Sequence, residues 1–96
     1  MASNAARQIR AASDWWLESR REAPSMFADD LSEALDVIVN FPFAAARVPH
    51  GRIRTLRRVL LPHAQYYLYY GVDIRLKTVR VIALWHTSRG RKPRLR

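Results

Sequence analysis

Apolar side chains recur at helical spacing through the first forty residues of the chain, and then the period changes. Ala5, Ile9, Ala12 and Trp16 make one stripe with Trp15 beside it, so the spacing predicts a helix over 5–22. Ser3 and Asn4 can cap that helix by offering side-chain oxygens to its first free N–H groups. Arg20, Arg21 and Glu22 form its polar end, with the arginines placed at the negative pole of the helix dipole. Pro24 marks a break and suits the first turn of a second helix over 24–40. There Phe27, Leu31, Ala34, Leu35 and Ile38 line one face, while Asp29, Asp30, Glu33 and Asp36 line the other as a solvated acidic stripe. Asn40-Phe41-Pro42 stops the helix, and the short link implies an antiparallel hairpin over 5–40.

From residue 52 to residue 86 the pattern is that of strands. Ile53 to Leu61 is rich in branched and basic residues, Gln65 to Tyr70 is aromatic, and Thr78 to His86 is almost continuously apolar. Pro62-His63 separates the first two strands, and Gly71-Val72-Asp73 opens the connection to the third. Short links predict an antiparallel meander. The expected fold class is α+β: a helical hairpin packed on one face of a small antiparallel sheet. Strict alternation puts Val79, Val81, Ala83 and Trp85 on one side of the last strand and Ile82 and Leu84 on the other. In the middle strand Tyr66, Leu68 and Tyr70 oppose Tyr67 and Tyr69. Two helices cover only one face, so the second needs tyrosine tips and Arg stems, or a bound partner, to shield it.

Size and composition narrow the picture without naming an activity. The 96 residues fit one domain with one small core, 49% apolar and 26% charged. There is no cysteine, hence no disulfide or thiolate metal site, and no apolar run nears the roughly 20 residues of a membrane span. Arg7, Gln8 and Arg10 interrupt any signal-peptide core, so a cytoplasmic protein is expected. Charge is the more telling property. Residues 1–46 hold four Arg against seven acids, whereas residues 47–96 hold thirteen Arg or Lys against Asp73, within a total of +9. A basic β half and a basic tail over 87–96 suit contact with polyanions or acidic protein.

The order of elements and their residues resemble a known family. Ala5-x-x-x-Ile9 and Phe27-x-x-x-Leu31 lie on two helices with Pro42 after the second; then come a basic strand, an aromatic strand ending in Tyr70, and Val79-x-Val81-Ile82-Ala83-Leu84-Trp85-His86-x-x-Arg89. This pattern, from Ala5 to about Arg91, resembles the RelE/ParE superfamily of bacterial toxin–antitoxin toxins, most specifically in the run from the final strand into Trp85-His86-Thr87-Ser88-Arg89. Members usually begin with a strand before the first helix. Only Met1 to Asn4 precede it here, so that strand is expected to be missing or minimal and one sheet edge exposed.

The resemblance implies a growth inhibitor neutralised by a cognate antitoxin, acidic overall to complement the charge. Tyr67, Tyr69 and Trp85 are the candidate antitoxin anchors, and His86, Arg89, Arg91, Lys92 and Arg94 the candidate target-binding residues. RelE-like members cut messenger RNA on the ribosome, commonly with a tyrosine after the last strand; ParE-like members are associated with inhibition of DNA gyrase. No tyrosine follows Tyr70, and lysines are limited to Lys77 and Lys92. That favours a ParE-like, non-enzymatic poison over a RelE-like endoribonuclease, for which His86 and Arg89 would supply a base and a phosphate-binding cation. His86 has no second histidine or carboxylate near it in sequence, so capping and stacking beside Trp85 explain it adequately.

The remaining chemistry-bearing residues give weaker signals. His50 and His63 sit beside Pro49 and Pro62, where turn formation accounts for them. Arg52, Arg54 and Arg58 share one side of a strand at period two, either as a charge-guarded edge or as an anion-binding strip, with Arg57 opposite. No phosphate loop, metal-ligand spacing or nucleophilic triad occurs, and no cofactor or metal is implied. A basic nucleic-acid-binding domain is a third reading, disfavoured because the positive charge lies on strands and tail and not on a recognition helix.

Overall fold

A computed structural model describes residues 2–20 and 25–89. Two helices, α1 (Ser3–Ser19) and α2 (Met26–Asn40), precede four strands: β1 (Ala46–Arg47), β2 (Arg57–Leu61), β3 (Tyr66–Asp73) and β4 (Thr78–His86). The strands form one antiparallel sheet in the order β1-β2-β3-β4. The coarse α+β class read from the sequence is the one observed. Among the described residues no helix is long and apolar enough to cross a membrane.

The helices form for the reasons the periodicity gave, but their ends differ. α1 buries Ala5, Ala12 and Trp16, with Ile9 packed alongside. Ser3 and Asn4 lie inside its first turn and not at its cap. Ala2 is the extended capping residue, without a side-chain bond, and Ala6 N–H donates to Ala2 carbonyl oxygen at 3.0 Å. Asn4 instead accepts from the Arg7 guanidinium one turn on. At the other end Arg20 has left helical geometry, its N–H donating to Trp16 carbonyl oxygen at 3.1 Å; Arg21, Glu22 and Pro24 lie outside the described residues. α2 stops where Phe41 N–H reaches Val37 carbonyl oxygen, just ahead of Pro42.

One residue of the acidic stripe is not solvated. Asp30 is 3% exposed, in the buried row Phe27, Asp30, Ala34 and Ile38 that follows the same helical spacing as the apolar residues. The stripe expected on the outer face of α2 therefore consists of Asp29, Glu33 and Asp36.

The strand connections also fall elsewhere. Gly71-Val72-Asp73 runs inside β3, and the turn to β4 is 74–77, where Asp73 Oδ1 accepts Leu76 N–H at 3.0 Å. Both long hairpins close on a left-handed residue that is not glycine: Gln65 (φ 62°) between β2 and β3, and Lys77 (φ 52°) between β3 and β4. The strand expected from Ile53 begins only at Arg57, and a short β1 that the sequence did not suggest precedes it; residues 48–56 form an irregular segment.

That segment answers the question of the second sheet face. The helices pack on Leu61, Leu68, Tyr70, Val72, Val81 and Leu84. On the opposite face a smaller cluster of Leu56, Tyr69 and Ala83 is closed by Val48, Ile53, Tyr67, Ile82 and Trp85. Leu56 is fully buried, Val48 N–H donates to Leu56 carbonyl oxygen at 2.9 Å, and Thr55 Oγ1 accepts from Val72 N–H at 3.1 Å. A Cβ on Gly71 would meet Ile82 Cδ1 at 3.4 Å and Thr55 Oγ1 at 3.6 Å, ordinary contact distances that place the segment directly against β3. The chain covers much of its own second face.

Strict alternation fails in β4 because of a bulge. Tyr69 pairs with Ala83 and Tyr70 with Val81, which leaves Ile82 as an extra residue. Val79 and Val81 therefore belong with Leu84 on the helical side, while Ile82 joins Ala83 and Trp85 on the other. Among the described residues β4 is a sheet edge. Two contacts cover part of it: Ala2 N–H donates to Val81 carbonyl oxygen at 3.0 Å, and Leu84 N–H donates to Gln8 Oε1 at 2.9 Å.

Candidate functional site: a basic aromatic cleft beside α1

The end of β4 carries the most specific residues of the sequence, and the fold sets them beside α1 and the β2–β3 turn. Between these elements lies an open cleft of about 810 Å³. Trp15, Trp16 and Arg20 come from α1, His63 and Gln65 from the turn, and Trp85, His86, Ser88 and Arg89 from β4 and its exit. Among the described residues the lining holds two arginines and two histidines and no carboxylate.

His63 owes its position to Asp30. Asp30 Oδ2 accepts the backbone N–H of His63 and of Ala64, each at 2.8 Å, and Oδ1 lies 2.8 Å from His63 Nδ1. Two short charge-assisted bonds to backbone and one to the ring thus pin the β2–β3 turn to α2. Burial pushes the Asp30 carboxyl up, but the His63 ring and the two N–H groups outweigh it and the net shift is downward. His63 is raised, first by its hydrogen bond to Asp30 and then by the charge of that carboxylate. With Nδ1 facing Asp30, Nε2 is the free nitrogen of a ring that is 68% exposed.

His86 is held in the opposite sense. Its Nδ1 accepts the Ser88 N–H at 3.1 Å and lies 2.6 Å from Ser88 Oγ. A backbone N–H can only donate, so Nδ1 is the unprotonated nitrogen and Nε2 carries the proton. The ring stands edge-on to Tyr66 with centroids 4.9 Å apart, and Tyr66 meets Phe27 edge-on at 5.5 Å. Arg89 lies 4.2 Å over the Trp85 ring and Arg20 lies 5.6 Å over Trp16, within cation–π range. Trp16 is 6% exposed, and its Nε1–H has no hydrogen-bond partner among the described residues.

The sequence-derived site residues scatter around this cleft. His86 and Arg89 line it, whereas Arg91, Lys92 and Arg94 lie outside the described residues. Trp85 and Tyr67 are half-buried; Tyr69 is 2% exposed beneath the 48–56 segment and offers no surface to a partner. The strip of Arg52, Arg54 and Arg58 is not a strand face, because Arg52 and Arg54 precede β2 in the irregular segment. Arg58 lies 4.0 Å over Tyr67, and Arg57 donates to the carbonyl oxygens of Phe43 and Ala45, tying β2 to the chain before β1. His50 Nδ1 accepts the N–H of Arg52 and Ile53 at 3.1 Å each, the turn role its position suggested.

Sequence reasoning assigned no site role to the cleft residues His63 and Arg20, nor to Asp30, which holds His63 from behind. Asp30 alone left a signal, since it occupies an apolar slot of the α2 repeat. No group of three or more His, Cys, Asp or Glu suited to a metal occurs among the described residues. Comparison with protein-family models, with curated proteins and with solved structures returns no match.

Proposed function

We propose that this chain is the toxin of a bacterial toxin–antitoxin pair, of the RelE/ParE type and ParE-like, inhibiting growth by binding DNA gyrase. The observation that carries the reading is the setting of Trp85-His86-Thr87-Ser88-Arg89. This most specific piece of the resemblance lines an open basic cleft, with Ser88 and Arg89 exposed beyond Trp85, which also packs on the far-face cluster. A cleft with two guanidinium groups and no lining carboxylate among the described residues suits an acidic macromolecular surface. The absence of a tyrosine beyond Tyr70 keeps the poison ahead of the nuclease.

An acidic antitoxin is the expected partner. The second sheet face no longer argues for it, because residues 48–56 cover that face. What supports it is the total charge of +9 together with the exposed Trp15, Leu17, Val39, Phe41 and Phe43. Co-expression with the neighbouring reading frame should yield a complex and relieve toxicity. A harmless chain that ignores its neighbour would end the toxin reading.

A second reading, RelE-like cleavage of RNA, draws on the meeting of two histidines in one cleft. His63, oriented by Asp30, offers Nε2 as a base for the 2′-hydroxyl proton, and His86 Nε2–H can protonate the leaving 5′-oxygen. Attack of the 2′-oxygen on phosphorus would then leave a cyclic phosphate and a free 5′-hydroxyl. A gyrase supercoiling assay beside ribosome-programmed mRNA cleavage separates the two. Inhibited supercoiling with intact mRNA supports the poison, and position-specific cleavage lost in His63→Ala and Arg89→Ala installs the nuclease.

A further inference from the structure

Three properties of the cleft coincide, and gyrase binding does not require them together. Its fixed cations have no acid partner among the described residues, where the only ion pair is His63 with Asp30. Its donors point to an acceptor-rich ligand, since the proton of His86 is on Nε2 and the buried Trp16 Nε1–H is unsatisfied among the described residues. Its walls are aromatic, with Trp15, Trp16, Tyr66 and Trp85 all contributing. An 810 Å³ cleft lies within the roughly 300–1,000 Å³ of small-molecule sites.

A flat ring joined to a dianion satisfies all three. We propose that the cleft binds a nucleoside monophosphate unit, with the phosphate against Arg89, Arg20 and His86 and the base against the indole and phenol rings. Arginine provides a planar fork for phosphate oxygens, and aromatic faces stack bases without reading their identity. The site is a property of the cleft itself and holds whether or not the chain is toxic.

Calorimetric titration of the full chain with AMP, adenosine, inorganic phosphate and a 5′-phosphorylated trinucleotide tests it. AMP should saturate at one per chain, with adenosine and phosphate each about 10-fold weaker or worse, because each lacks one half of the contacts. Arg89→Ala and Arg20→Ala, both at exposed positions, should each weaken AMP about 10-fold while the circular dichroism spectrum is unchanged. A trinucleotide that outbinds AMP identifies a strand terminus as the source of the phosphate; one that binds equally or less identifies the free nucleotide. The proposal is overturned by absence of saturable AMP binding at millimolar concentration, by inorganic phosphate binding as well as AMP, or by unchanged affinity in both arginine variants.

Discussion

Removing the Asp30 carboxylate should cost more stability than any other single polar change in this domain. Asp30 is 3% exposed and accepts three hydrogen bonds, two of them from the backbone N–H groups of His63 and Ala64 in the β2–β3 turn. Asp30→Ala leaves both N–H groups without an acceptor, at about 1–3 kcal/mol each for a buried orphan donor, and the expected loss is about 3–5 kcal/mol. A domain of this length has a total stability of only about 5–14 kcal/mol, so the variant should sit near its unfolding threshold. Asp30→Asn keeps an oxygen for the turn but loses the charge, and should lose about half as much. Urea unfolding followed by circular dichroism measures both, with the slope against denaturant held constant. The two groups also predict opposite pH limbs. Asp30 is lowered on folding, so its contribution is present above the unfolded carboxyl value and disappears as pH falls through the folded one. His63 is raised, so its contribution is complete below its ordinary value of 6.5 and disappears as pH rises through the folded one. Asp30→Ala should flatten both limbs. A loss below about 1 kcal/mol, or an unchanged pH profile, would refute the account of this buried carboxylate.

Other expectations follow from single contacts. Leu56→Ala should cost about 2–5 kcal/mol and make Tyr69 accessible to iodination, because Leu56 is the fully buried plug of the far-face cluster. Tyr70→Phe should cost about 1 kcal/mol by orphaning the Pro42 carbonyl oxygen that the Tyr70 hydroxyl reaches at 2.7 Å. Spectrophotometric titration should also lose a phenol ionising above the ordinary range, since burial raises Tyr70 more than the nearby Arg57 lowers it. Lys77→Gly should raise the midpoint of thermal unfolding, because it relieves a non-glycine residue held at φ 52°.

Periodic features were legible in the sequence and conditional ones were not. The stripe Ala5, Ile9, Ala12 and Trp16 and the row Phe27, Ala34 and Ile38 are written in one dimension and were read correctly. So was the opposition of Tyr66, Leu68 and Tyr70 to Tyr67 and Tyr69. The faces of β4 were misassigned because a bulge at Ile82 is a pairing property, visible only against β3. Ile53 to Leu56 looked like a strand because a segment that plugs a sheet and a strand within one need the same branched residues. The cleft was half legible. His86 and Arg89 lie together in sequence, but His63 reaches them only through a carboxylate 33 residues away. No local pattern encodes a meeting of that kind.

The order of layers also bears on how the molecule is made. α1 rests on β4, joined to it by Ala2 at Val81 and by Gln8 at Leu84, so a helix packs on a strand synthesised well after it. At roughly 5–20 residues per second, the wait between them is on the order of several seconds. An isolated helix of 17 residues is marginal in water, and Ile9 and Trp16 have no β4 to cover them during that interval. α1 is therefore among the last elements to reach its final partner, and the time its apolar stripe spends uncovered is set by translation speed.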